Sequence, residues 1–271
     1  MKNSFWLAIL IFFGVCGQSQ AQQDGSFVLK RVIRGDIVDF TVDNLGNIYL
    51  INSDNQLKKV SSSGDSLAVF NIVKTLGKLY SIDVTNPLKI LLYYREFATI
   101  VEVDRFLNIL NTIDLRNLSI YQAKSVALAY DNNIWVYDEL DAKLKRIGDD
   151  GSLIDQTTDI RQVTETAPDP SFMADQSGYV YLYDSTRGLY LFDHYGSLQK
   201  KVQITGWKDP AVIEKNLLGR DDKQFFRYQV NTPGVQQEPI PAGYLPAIKI
   251  KITSGAIFVL KQSGLEIYSR Q

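Results

Sequence analysis

One histidine, His194, and one cysteine, Cys16, are all that this 271-residue chain offers of the two residue types most used in nucleophilic and metal chemistry. A Cys–His nucleophile needs both in one site, and histidine-rich zinc or copper centres need several. A Ser-His-Asp triad would have to use His194, which stands in a polar turn phrase, Asp193-His194-Tyr195-Gly196. Carboxylates remain. Asp39, Asp83, Lys124, Asp169 and Asp209 recur where apolar strands are expected to begin, the last two aspartates each before a proline. Gathered round one opening, such residues can hold a polar ligand or a divalent cation through oxygen. Strand starts facing solvent and Asp-Pro turns explain the same residues without any ligand. They form a candidate binding mouth; no catalytic residue, metal ligand or cofactor is assigned.

The elements that would position these residues come from a repeat. An apolar strand, an Asx-Gly turn, an alternating aromatic strand, a polar turn and a third strand recur, ending in Gly-Ser-Leu or similar. One copy contains Asp43-Asn44-Leu45-Gly46-Asn47-Ile48-Tyr49, another Asn133-Ile134-Trp135-Val136-Tyr137 with Gly151-Ser152-Leu153, and a third Gly178-Tyr179-Val180-Tyr181 with Gly196-Ser197-Leu198. The closing leucines Leu67, Leu110, Leu153 and Leu198 are spaced 43, 43 and 45 residues. The turn residues Asp43, Asn86, Asp131 and Asp175 keep the same step, at 43, 45 and 44. A period near that value with four short strands per unit specifies an all-β, six-bladed β-propeller with four-stranded blades. The last copy supplies only three strands before Gln271, so the apolar segment at residues 27–32 is expected to close the ring as the outer strand of the final blade.

The repeated Asp-x-x-Gly-Asn-Ile-Tyr-type phrase at residues 43–49, with this architecture, resembles six-bladed propellers of the NHL, TolB and SMP-30/gluconolactonase-like group. The resemblance covers essentially all of the mature chain. Neither the Gly-His…Trp-Asp pairs of WD40 repeats nor the Gly-Gly pairs of kelch repeats occur. The group contains both enzymes and binding modules, so the resemblance implies a fold. Its gluconolactonase-like members hold a divalent metal with Glu, Asn and Asp at the central opening. That set does not match here residue by residue, and a metal-dependent lactonase or hydrolase is the alternative expectation.

Composition narrows the partners. Lys plus Arg number 29 and Asp plus Glu 30, a formal charge of −1, which argues against nucleic-acid binding and against a polybasic membrane anchor. The start reads as a secretory signal peptide over residues 1–21: Met1-Lys2-Asn3, an apolar run over 5–16, then Ser19-Gln20-Ala21 as the cleavage signal. Lipidation at Cys16 fits less well, because Val15 stands where a lipobox needs a small residue. A single propeller domain over 22–271 is expected, exported to a bacterial periplasm, without cysteine, cofactor or membrane insertion. The unit over about 205–246 departs from the repeat, with Trp207, Phe225, Phe226 and Tyr244 beside Arg220 and Arg227. Aromatics with arginine are typical interface anchors. These six residues are the expected partner-binding feature of a non-enzymatic scaffold, an accessory or capping subunit of an outer-membrane assembly or export complex.

Overall fold

The structure is a computed structural model that describes residues 27–70 and 76–270. The signal peptide expected over residues 1–21, with Cys16 and the expected cleavage after Ala21, falls outside the described residues. Six four-stranded antiparallel sheets make a closed ring. Blade one comprises β2 (Asp39–Val42), β3 (Ile48–Ile51), β4 (Leu57–Val60) and β5 (Ser66–Phe70). Blade two comprises β6 (Ser81–Asn86), β7 (Lys89–Tyr94), β8 (Thr99–Val103) and β9 (Ile109–Asp114). Blade three is β10 (Ala123–Leu128), β11 (Ile134–Asp138), β12 (Lys143–Ile147) and β13 (Leu153–Gln156). Blade four is β14 (Phe172–Gln176), β15 (Tyr179–Asp184), β16 (Gly188–Phe192) and β17 (Leu198–Val202). Blade five is β18 (Lys208–Ile213), β19 (Asn216–Arg220), β20 (Gln224–Gln229) and β21 (Gln236–Pro239).

Blade six joins both ends of the described chain: β22 (Lys249–Ile252), β23 (Ala256–Lys261), β24 (Gly264–Arg270) and, outermost, β1 (Phe27–Ile33). β1 runs antiparallel to β24, from Phe27 opposite Arg270 to Ile33 opposite Leu265. Closure by the early strand is thus as the sequence implies. The first strands of successive blades contact one another around the axis, β2 meeting β22 to complete the circuit.

The second and third strands read as nearly continuous apolar runs because both their faces are covered by neighbouring blades. β3, β8, β11 and β16 are buried at every residue, whereas β13 and β21 are exposed at every residue. Six hydrophobic clusters follow, each a slab between adjacent blades; Tyr49, Leu57 and Phe70 meet Ile90, Leu92 and Val101 between blades one and two. Each buried Leu, Ile or Val adds about 1.5–3 kcal/mol, so no blade is stable without its neighbours. A bulge recurs between the third and fourth strands, at Lys59/Val60, Glu102/Val103, Arg146/Ile147 and Leu191/Phe192. It adds local twist where the outer strand must splay from the ring.

Blade five departs from the pattern at its outer strand, and its first strand is irregular as those of blades two and three also are. β18 is itself irregular between Lys208 and Ala211, where Asp209 has φ of 52° before Pro210. β21 pairs without the bulge and stops at Pro239, which a sheet tolerates only on an edge.

Candidate functional site

The first strands surround a central channel continuous with a groove over blades one and six, about 830 Å³ in all, whose lining includes Thr41, Asp83, Ser125, Ser171, Gln176 and Lys251. The five residues expected at its mouth come from all of blades one to five, but they do not converge on a common point. Asp39 Oδ1 accepts from Lys249 Nζ at 2.6 Å, tying blade one to blade six. Lys124 Nζ lies 2.7 Å from Asp169 Oδ1 and 3.4 Å from Glu139 Oε1, tying blade three to blade four. The hydrogen bond to Asp169 holds the Lys124 ammonium above its ordinary pKa. Asp209 Oδ2 accepts from Arg220 Nε at 2.6 Å and from the Ile250 amide of blade six at 2.8 Å.

Asp83 sits differently. It is the third residue of β6, two positions inside the strand start, where its oxygens accept from the Thr85 and Leu128 amides, both at 2.8 Å. Each of the five is therefore engaged by a group of its own or a neighbouring blade. Among the described residues, no three His, Cys, Asp or Glu side chains are placed to share a metal ion.

The aromatic and basic residues of blade five are also placed individually. Trp207, Arg220 and Tyr244 are buried, Phe225 and Phe226 half-buried, and Arg227 exposed. Trp207 stacks on Phe226 with ring centres 5.2 Å apart, against blade four. Tyr244 packs between Phe225 (6.5 Å) and Tyr268 of blade six (4.5 Å). Four of the six expected partner-binding residues, Trp207, Phe225, Phe226 and Tyr244, thus pack in the slabs on either side of blade five. Arg227 Nε donates to Asn216 Oδ1 within its own blade.

His194 is a turn residue, as its phrase implies, yet it is not simply solvated. Its ring stacks on Tyr130 of blade three at 3.9 Å, and its Nε2 lies 3.0 Å from the buried Asp175 Oδ1. Asp175 Oδ2 in turn accepts from the Tyr130 amide (3.1 Å) and the Trp135 indole (3.0 Å). Asp43 and Asp131 do form turns, accepting from Asn47 and Asn133. Asp175 instead lies inside β14, because a two-residue turn, Ser177-Gly178 with both φ positive, makes that reversal.

One feature of the turns escaped the sequence reading. On the face bearing the turns between first and second, and third and fourth, strands, apolar side chains protrude. Leu45, Leu88, Phe106, Tyr130 and Tyr195 are 71%, 63%, 59%, 59% and 84% exposed. Four of them stand two residues after an Asx whose side chain clamps their own amide: Leu45 to Asp43 (3.0 Å), Leu88 to Asn86 (3.0 Å), Phe106 to Asp104 (2.8 Å) and Tyr195 to Asp193 (2.9 Å). The Asx-x-apolar spacing is the signal, legible in sequence once the turns are placed.

No family model matches the chain, and no curated protein is a recognisable relative by sequence. Solved structures do match. Virginiamycin B lyase from Staphylococcus aureus is 13% identical over 86% of this chain and 79% of its own, with a TM-score of 0.60. PorZ of Porphyromonas gingivalis, a surface component of the type-IX secretion system, is 10% identical over 88% of this chain and 33% of its own, at 0.55. YCF48 with a D1 peptide bound is 11% identical over 89% of this chain and 82% of its own, at 0.54. The likeness is one of fold. The chain is a six-bladed β-propeller.

Proposed function

We propose that this propeller is a non-enzymatic exported scaffold that binds a protein partner in the bacterial envelope, as an accessory or capping subunit of an outer-membrane assembly or export complex. The observation that carries the reading is the set of exposed apolar tips on one face, four of them held by Asx turns. A turn whose backbone is fixed before contact loses little main-chain freedom on binding, and that favours an interface anchor. The mouth residues point the same way, since Asp39, Lys124 and Asp209 are committed to ion pairs between or within blades. His194 is engaged by Tyr130 and Asp175. The leader over residues 1–21 supports the address. Two of the similar rings, the secretion-system component PorZ and peptide-bound YCF48, lend the reading precedent at the level of fold.

The test is cross-linking and affinity purification from the native envelope, comparing wild type with Leu45→Asp, Phe106→Asp and Tyr195→Ala. A specific envelope protein recovered with wild type and lost with these variants, at unchanged melting temperature, supports the scaffold. Recovery of the protein alone, or a calcium, magnesium or zinc stabilisation abolished by Asp39→Ala, overturns it in favour of the metal-dependent enzyme.

A further inference from the structure

Four lysines lie on the innermost strands, and three are ion-paired: Lys124 with Asp169 (2.7 Å), Lys208 with Asp222 (2.7 Å) and Lys249 with Asp39 (2.6 Å). Lys251 is the exception. Its Nζ meets the Thr41 hydroxyl at 3.0 Å, and among the described residues no carboxylate lies within 4 Å of it. It is half-buried and reaches solvent through the channel it lines. The channel opens into a groove over blades one and six, and the two together have the volume of a small-molecule site. Its lining runs to Leu45, Gly46 and Gly255 at the turn face, which gives a route of entry.

The groups facing Lys251 are Lys249 on its own strand, Asp39 and Thr41 on β2, and Asp83 on β6. Burial and the Lys249 charge lower its pKa to about 8, against a smaller opposite pull from Asp83 and Asp39. Near neutral pH roughly one such amine in ten is unprotonated, against roughly one in a few thousand for an ordinary lysine.

We propose that Lys251 is a nucleophilic amine that captures small carbonyl compounds inside the channel as imines. The Nζ lone pair adds to the carbonyl carbon while the π pair moves to oxygen, which takes up a proton. A second proton, taken from solvent, lets the carbinolamine expel that oxygen as water and leaves an iminium, which gives the neutral imine when it returns that proton. Amine and carbonyl give imine and water, with no change of oxidation state, and water reverses the step. Asp83 lies on the next innermost strand but one, near enough for its negative charge to favour the cation although its oxygens are held by the Thr85 and Leu128 amides.

The probe is glyoxylate with sodium cyanoborohydride, which traps an imine as carboxymethyl-lysine, read by peptide mapping of the intact protein. Lys251 is expected to label at least about tenfold faster than the exposed Lys58 and Lys215 near neutral pH, with a rate that rises to half its limit near the lowered pKa. Lys251→Met removes the fast site alone. Labelling of Lys251 no faster than Lys58 overturns the proposal, and because wild-type protein gives that answer, it stands even if the variant fails to fold. Partner capture by the turn face is a separate measurement, so the two readings fail independently.

Discussion

The Arg220 guanidinium donates Nη2 to the carbonyl oxygen of Ile248 at 3.2 Å, bridging blade five to the start of blade six. At two earlier interfaces a tyrosine hydroxyl does this work: Tyr93 donates to Ala123 O at 2.8 Å and Tyr137 to Pro168 O at 3.0 Å. At the next, the Tyr183 hydroxyl accepts from the Trp207 amide at 2.8 Å. Each donor or acceptor ends a second strand and meets the chain where the following blade begins. Blade five keeps the connection although it has lost the tyrosine.

Removing one of these bonds should destabilise the ring without changing its shape. Tyr93→Phe and Tyr137→Phe each leave a buried carbonyl unmatched, at a cost of about 1–2 kcal/mol. Arg220→Met should cost more, about 3 kcal/mol, because Asp209 then loses its ion-pair partner beside the Ile250 amide. Urea unfolding of the three variants gives that order. Equal losses would mean that Arg220 contributes a hydrogen bond and nothing electrostatic.

Closure of the ring is open to a point substitution. Gly264 has φ of 134° beside β1, and a Cβ there would sit 2.5 Å from the Ile33 carbonyl oxygen. Backbone cannot yield as a flexible side chain can, so Gly264→Ala should push β1 off β24 and cost about 2 kcal/mol or more. Deleting Phe27–Ile33 should lower the melting temperature further and expose the β24 edge to pairing between molecules, seen as larger species in size-exclusion chromatography. A peptide of residues 27–33 added back should restore the melt. An undiminished melting temperature after deletion would contradict non-covalent closure.

How much the sequence could disclose depended on distance along the chain. Leu67, Leu110, Leu153 and Leu198 all fall on outer strands, so their spacing reports the blade period directly. The acceptors of Tyr93 and Tyr137 lie 30 and 31 residues away and are main-chain carbonyls, which leave no mark in residue type. Trp207, Arg220 and Tyr244 have the composition of an interface, but aromatic and guanidinium groups serve a buried slab between blades equally well. Asp83 stands third in β6, where its carboxylate turns to the Thr85 and Leu128 amides, partners that residue type does not announce. The mouth residues were identifiable as polar and axial; their partners, on neighbouring blades, were not.

Asp175 offers a sharper test of an inter-blade contact. With Asp175→Ala the buried Trp135 indole and the part-buried Tyr130 amide both lose their acceptor, a loss of about 2–3 kcal/mol. Asp175→Asn retains one carbonyl oxygen and should cost less. His194→Ala removes the stack on Tyr130 but leaves those donors satisfied, and should cost about 1 kcal/mol. Trp135 emission checks the assignment, since it should shift with Asp175→Ala and stay put with His194→Ala.

Acid should unpick blade four at Asp184, whose side chain is almost fully buried. Burial alone would raise its pKa, but hydrogen bonds from the Asp169 amide (2.8 Å), the Thr186 amide and hydroxyl (both 2.7 Å) and Arg187 overcome this and hold it below the ordinary aspartate range. A carboxylate whose folded pKa is depressed contributes stability that is complete above the unfolded pKa and is lost as pH falls through the folded one. The wild-type melting temperature should therefore fall below about pH 4 through this group. Asp184→Asn, which has no charge to lose, should melt lower than wild type near neutral pH by about 2 kcal/mol of stability. The two melting curves should then converge as the medium is acidified. A constant gap down to the acid limit would show that the Asp184 charge adds nothing its amide isostere lacks.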